Sequence, residues 1–288
     1  MSDAERSVVI TGASTGIGRA CALRLDRMGW RVFAGVRKPA DGEALCAKAS
    51  PRLTPVELDV TGEASIARAA EQVVAATGDA GLAGLVNNAG ISVAGPLEFL
   101  PLDELRRQLE VNVTGQVAVT QAFMPLIRRG NGRVVFMGSI SGRLATPFLG
   151  PYAASKFALE ALADALRIEL RPWRIPVSII EPGSIATPIW EKGQAAADEL
   201  EEGLSIRGHE LYDPAIAAVR QAARDSAARG VPPGRVAKAV AHALTSRRPK
   251  TRYVVGNDAR IQLAMASLLP DRARDPLVSR FMKLPGKG

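Results

Sequence analysis

The chain has 288 residues, 47% of them hydrophobic and 23% charged, and a net charge of +8 at pH 7. A globular chain of this size buries about three-quarters of its unfolded surface, which excludes a disordered or low-complexity protein. The basic residues are scattered without interleaved aromatics, arguing against a nucleic-acid binder, and Cys21 and Cys46 have neither metal-ligand nor disulfide-framework spacing.

Short apolar runs alternate with amphipathic stretches along the first two-thirds. Strands are predicted at 8–11, 31–36, 54–58, 85–87, 133–137 and 177–181, with a late seventh at 253–255. Helical spacing marks 17–28, 43–48, 63–76, 102–129 and 151–170. Such alternation predicts a single α/β domain over residues 1–288, a doubly wound parallel sheet covered on both faces. The stretch 187–230 lacks strand signals and reads as a helical lid. The extension 257–288 carries helical spacing at 259–269 and a second piece at 277–284 that opens after Pro276. This basic tail reads as packing over a substrate pocket or a subunit contact, against the competing reading of a membrane surface. With no signal-peptide pattern and no bilayer-length apolar run, the expected location is cytoplasmic.

The first strand runs into Thr11-Gly-Ala-Ser-Thr-Gly-Ile-Gly18 and then a helix. Gly12, Gly16 and Gly18 allow a tight turn, and the helix N-terminus offers N–H groups to a pyrophosphate, with Ser14, Thr15 and Ile17 in the same turn. At the end of the second strand, Val36 fills the slot where an acid would favour NAD, and Arg37 and Lys38 follow. A guanidinium suits a ribose 2′-phosphate, so NADP(H) is preferred with NAD(H) as the alternative, against a plain solvated loop. Asp59, followed by Val60, reads as an acceptor for an adenine amino group, with Thr61 as the N-cap of the next helix. Asn87 and Asn88, ahead of Ala89 and Gly90, are costly to bury unpaired and read as binding strand backbone and cofactor ribose. Asn112 and Gly115 break the propensity rules inside a helical stretch, as is common near functional sites. Ser139 closes the fifth strand, and Pro182-Gly183 the sixth, with Thr187 four residues on.

Tyr152 and Lys156 share one face of the 151–170 helix. An ammonium about 4–5 Å from a phenol, at an effective dielectric near 20, favours the phenolate by roughly 3–4 kcal/mol. That would lower the tyrosine by about two to three pK units, into the range useful for moving a proton on and off an alcohol.

Taken in order, these residues identify a resemblance. The chain resembles the short-chain dehydrogenase/reductases over nearly its whole length, in the Gly12–Gly18 turn, Asp59, 87–90, Asn112, Ser139, Tyr152 with Lys156, and Pro182-Gly183. Val36-Arg37, Arg252-Tyr253 and the long tail are similar to the branch holding 17β-hydroxysteroid and retinol dehydrogenases. The resemblance implies a Rossmann-like sheet of about seven strands and a catalytic tetrad of Asn112, Ser139, Tyr152 and Lys156. It further implies that Lys156 holds the nicotinamide ribose, that Asn112 positions a water leading from Lys156 to solvent, and that Ile185 and Thr187 meet the carboxamide. A homodimer or homotetramer built on the 102–129 and 151–170 helices is implied as well.

Leu144, Phe148 and Leu149 before Tyr152, with Ile189, Trp190, Leu204 and Tyr212 from the lid, are candidates for an apolar substrate wall, or equally for core. They point to a hydrophobic, steroid- or retinoid-like ketone or alcohol. His209 and His242 lack metal-ligand neighbours and read as a surface lid residue and a helix-face residue; no metal is expected. The competing function is a dinucleotide-sensing or scaffold protein without turnover, which an intact tetrad disfavours.

Overall fold

The computed structural model describes residues 6–285, apart from the side chains of Trp190, Glu191 and Lys192. In chain order the elements are β1 (Ser7–Ile10), α1 (Gly16–Arg27), β2 (Arg31–Val36), α2 (Pro39–Cys46), β3 (Leu53–Glu57), α3 (Glu63–Thr77) and β4 (Gly84–Asn87). There follow α4 (Leu102–Leu109), a π turn (Glu110–Thr114), α5 (Gly115–Arg129), β5 (Val134–Met137), α6 (Gly150–Glu169) and β6 (Val177–Pro182). The chain then runs through α7 (Ile189–Glu202), α8 (Ile206–Ala228), α9 (Pro233–Thr245), β7 (Arg252–Val255), α10 (Asn257–Leu268) and α11 (Asp271–Phe281).

All seven strands are parallel, in the order β3-β2-β1-β4-β5-β6-β7. Strands buried on both faces need no alternation of polar and apolar residues, and β1, β4, β5 and β6 are buried throughout. Successive side chains nevertheless feed opposite layers. Val8 and Ile10 pack with Cys21, Leu25 and Val240 beneath α1 and α9, whereas Val9 packs with Val73, Phe123 and Leu159 beneath α3, α5 and α6. Strand order reverses between β1 and β4, and the crevice at such a switch point is where doubly wound sheets bind ligands.

Three local expectations are corrected, and one helix is added to those expected. The helix α9 was not among the predicted elements; its core face is built of Val236, Ala237, Val240 and Ala241, small enough to seat closely on α1. Its Pro233 opens the first turn, where a missing N–H costs nothing. The 102–129 helix is continuous but is interrupted at Glu110–Thr114 by the π turn. Thr61 does not cap α3, whose N-cap is Gly62; instead Asp59 Oδ1 accepts from the Thr61 N–H at 3.0 Å and its hydroxyl at 2.8 Å. Finally, α11 runs through Pro276 rather than starting after it, forgoing one backbone bond while its apolar face is kept on the cavity described next.

Candidate active site

The turn after β1 is held by its neighbour strand. Thr11 Oγ1 accepts the N–H groups of Asn88 and Ala89, both at 2.9 Å, and Asn88 Nδ2 donates to the carbonyls of Thr11 (2.9 Å) and Gly12 (3.1 Å). This leaves no room for a side chain. Gly12 has φ +63°, and a Cβ on Gly18 would lie 2.2 Å from the Gly12 carbonyl oxygen. The N-cap of α1, Thr15, makes no side-chain cap bond, so the first turn presents its amides to the crevice. Of the backbone and ribose contacts expected of the two asparagines, Asn88 makes the backbone ones. Asn88 lines the crevice but spends its amide on the turn, while Asn87 is fully buried and donates to Thr120 Oγ1 at 2.8 Å.

From this turn the crevice runs past Val36, Arg37, Lys38, Asp59 and Val60 on one side and Ala89 and Gly90 on the other. Arg37 and Lys38 are exposed where β2 ends. Pro182, Gly183, Ile185 and Thr187 line the opposite bank, with Thr187 packed against the Gly16 backbone. A cradle of amides and glycines with a basic group at one end fits an extended dinucleotide carrying phosphates.

Three amides at four-residue spacing fix the segment leaving β4. Gln116 Nε2 donates to the Ala89 carbonyl at 2.9 Å. Asn112 accepts from the Ile91 N–H at 2.9 Å and donates to its carbonyl at 3.0 Å. Gln108 accepts from the Val93 N–H at 2.7 Å and donates to the Ile91 carbonyl at 3.0 Å. Asn112 also donates to Ser155 Oγ at 3.1 Å, and that hydroxyl donates to the Tyr152 carbonyl at 2.7 Å. Asn112 is buried and does not border the crevice; its side chain is linked to the Tyr152 backbone through Ser155. Gln108, Gln116 and Ser155 were missed in the sequence; the period-four recurrence of amides around Asn112 was the available signal.

Tyr152, Lys156 and Ser139 converge at the crevice. The Tyr152 hydroxyl faces Ser139, whose Oγ accepts from the Ser141 N–H at 3.1 Å. Lys156 Nζ donates to the Met137 carbonyl at 2.7 Å and lies 5.6 Å from the centre of the Tyr152 ring. The expected lowering of the phenol by this ammonium is not what the geometry gives. Burial pushes the Tyr152 phenol above its ordinary value, opposed by the smaller pull of Ser139, and pushes the Lys156 ammonium down to about 8. The amine is directed to Met137 and passes over the ring face.

Beyond Tyr152 the crevice opens without a break into a mostly apolar space, about 1640 Å³ in all. Leu144, Phe148 and Leu149 line it from below, Ile189 and Leu204 from the lid, and Met265, Leu277 and Phe281 from the C-terminal helices. The backbone of Trp190 belongs to α7, but its side chain lies outside the described residues. Tyr212 is corrected: it stands behind the wall, edge-on to Phe99 and Phe148, with its hydroxyl donating to Glu98 at 2.7 Å. His209 pairs with Asp213 on the lid surface, and His242 Nδ1 lies 2.9 Å from Tyr253 Oη on α9. Asp258, unnoticed in the sequence, ties the substrate wall to the opposite bank by accepting the Ser184 N–H at 2.7 Å. Among the described residues there is no cluster suited to a metal ion and no helix long and apolar enough to cross a membrane.

The family model for short chain dehydrogenases matches residues 6–198. The chain belongs to the short-chain dehydrogenase family. Its relatives include mouse retinol dehydrogenase 5, 37% identical over 97% of this chain and 90% of the relative. Bovine 17-beta-hydroxysteroid dehydrogenase type 6 is 36% identical over 98% of this chain and 90% of that one. Both stand in the branch that the sequence resembles. A short-chain dehydrogenase from Burkholderia cenocepacia, solved in complex with NADP, superposes with a TM-score of 0.70 at 26% identity, covering 99% of this chain and all of that one. As a member of the short-chain dehydrogenases, the chain is an NAD(P)-dependent oxidoreductase acting on CH–OH groups.

Proposed function

We propose that the protein is an NADP(H)-dependent oxidoreductase that interconverts a hydrophobic ketone and its secondary alcohol, steroid- or retinoid-like in size, with Tyr152 as acid and base. The observation that carries this is the meeting of Tyr152 and Ser139 at the point where the nucleotide crevice joins the apolar space. When bound, the nicotinamide supplies or takes up the hydride. In the reductive direction the Tyr152 phenol, neutral because burial holds its pKa high, gives its proton to the carbonyl oxygen. Ser139 donates a hydrogen bond to the same oxygen, where negative charge develops. Lys156 faces the ring of the tyrosine that loses the proton, and its charge stabilises the phenolate that remains. Asn112 and Ser155 hold that turn of α6 in register. Water is kept from the site by the α7–α8 lid and the α10–α11 wall.

The NADP preference rests on Arg37 and Lys38 at the end of β2, with no acidic side chain at Val36. A homodimer or homotetramer through α4–α5 and α6 is supported by Leu102, Phe157 and Ile168, which are exposed on those helices. The test is fluorescence titration with NADPH and NADH, followed by turnover with a panel of hydrophobic ketones and alcohols. Tighter NADPH binding with turnover of bulky apolar carbonyls is expected. Binding of neither nucleotide would sink the assignment, and binding without any turnover would favour the sensor.

A further inference from the structure

Three elements that carry the reaction centre also meet behind it, at a cluster of charge that the proposed chemistry leaves unused. Glu160 follows Lys156 by one turn of α6, and Glu181 sits near the end of β6; both are buried. Arg143, just past the turn that begins at Ser139, stands 3.9 Å from Glu160 and 3.6 Å from Glu181. Arg252, opening β7, donates to Glu160 Oε2 at 2.9 Å and to Asp164 Oδ2 at 2.7 Å, and lies 3.5 Å from Glu181. Asp164 is further paired with Arg167. Lys156 is turned away onto the Met137 carbonyl, and Asp258 is spent on the Ser184 N–H.

The cluster is short of donors. Glu160 Oε1 and both carboxylate oxygens of Glu181 are buried without a hydrogen-bond partner. Two neighbouring carboxylates repel when both are ionised, and buried acceptors without donors are costly. A single proton held between them answers both difficulties, since it supplies a donor and cancels one charge. We propose that Glu160 and Glu181 share one proton, and that this pair is a positioning device that acts through Arg143 on the Ser139 turn.

Burial and the charge of Glu181 push the Glu160 carboxyl up to about 7, so the shared proton is lost across the neutral range. Its loss adds a negative charge facing Arg143 and Arg252. Arg252 is anchored by Asp164 as well, so the added pull acts chiefly on Arg143. That residue is welded to the turn, since its N–H donates to the Ile140 carbonyl at 2.9 Å. Gly142 lies so close beneath α6 that a Cβ there would meet the Lys156 carbonyl at 2.9 Å. A shift of Arg143 is therefore passed to Ser139, beside Tyr152.

The functional half of this proposal rests on the roles assigned to Ser139 and Tyr152; the protonation half does not. Infrared difference spectra of the intact protein between pH 6 and pH 8 should show a carboxylic-acid C=O band that is lost on raising the pH and is missing in Glu181→Gln. No such band would overturn the shared proton whatever the enzyme turns over. The pH dependence of kcat for ketone reduction should show a several-fold change centred near 7. Glu160→Gln, whose amide permanently supplies a donor to Glu181, and Arg143→Met should each flatten that change, leaving the KM for NADPH within about twofold. Wild-type and variant profiles that superimpose would overturn the positioning role. Should Glu160→Gln fail to fold, Arg143→Met, altering only a partly exposed residue, decides the matter in the same way.

Discussion

The two halves of the crevice are built by different means. The nucleotide edge, from β1 to β4, is made of backbone: glycines where a Cβ will not fit, and amide side chains that fasten one segment of chain to the next. The substrate side is made of side chains alone, drawn from the loop before α6, the lid and the two C-terminal helices. Backbone geometry admits few alternatives, whereas an apolar wall can be rebuilt with other residues of similar volume. Chemistry at the nucleotide edge should therefore be brittle, and selectivity on the substrate side tunable.

Tyr152 stands at the junction and should show the largest effect. Tyr152→Phe is expected to lower turnover by about 10³-fold, in keeping with loss of a general acid, while NADPH affinity by fluorescence titration stays within a few-fold; retained turnover would remove the acid assignment. On the brittle side, Arg37→Asp should weaken NADPH binding by about 10- to 100-fold, the value of losing a charge-assisted contact of roughly 1.5–3 kcal/mol, and improve NADH binding. An unchanged ratio of the two affinities would mean that Arg37 is only a solvated loop residue.

Lys156 tests what burial costs. Its pKa is depressed to about 8 in the folded chain, so between about 8 and its ordinary value the unfolded chain binds more protons and stability rises with pH. Below about 8 the penalty is full. Lys156→Met should thus gain about 2 kcal/mol at pH 7, after allowing about 1 kcal/mol for the lost Met137 bond, and the gain should fade by pH 10. Denaturant melts at the two pH values measure it. The smallest effect belongs to the tunable wall. Leu277→Ser is expected to raise the KM for a bulky ketone only about two- to fivefold with kcat unchanged, since the leucine is nearly half exposed. A collapse of kcat would mean that the wall helps to align the reacting atoms.

The same contrast governs what could be read before the fold was known. The alternation of strands and helices, the glycine turn, Arg37 after the second strand and the placing of Ser139, Tyr152 and Lys156 all follow from spacing, because local geometry dictates them. Contacts formed across the sheet do not. Asn88 was expected at strand backbone and ribose, but its spacing could not say that the carbonyls it secures are those of Thr11 and Gly12, two acceptors that the tight turn leaves open. Four-residue spacing put Lys156 on the face of Tyr152, yet it could not tell that Nζ turns to Met137 or that burial pushes the phenol up. Tyr212 is a candidate for the wall or equally for core by sequence; only the packing reveals it behind Phe148. The Glu160–Glu181–Arg252 cluster joins residues from α6, β6 and β7, and no window of sequence contains it.

The π turn at Glu110–Thr114 amounts to one surplus residue in an otherwise regular helix. Each residue advances a helix by about 100°, so α4 and α5 are out of phase by roughly that angle. Eight residues of regular helix would leave Gln108 and Gln116 pointing about 80° apart; the surplus residue takes up about 100° of that sweep, so both reach the segment from Ala89 to Val93. The irregularity is thus a frame marker: it lets one continuous rod present amides eight residues apart to a single stretch of chain.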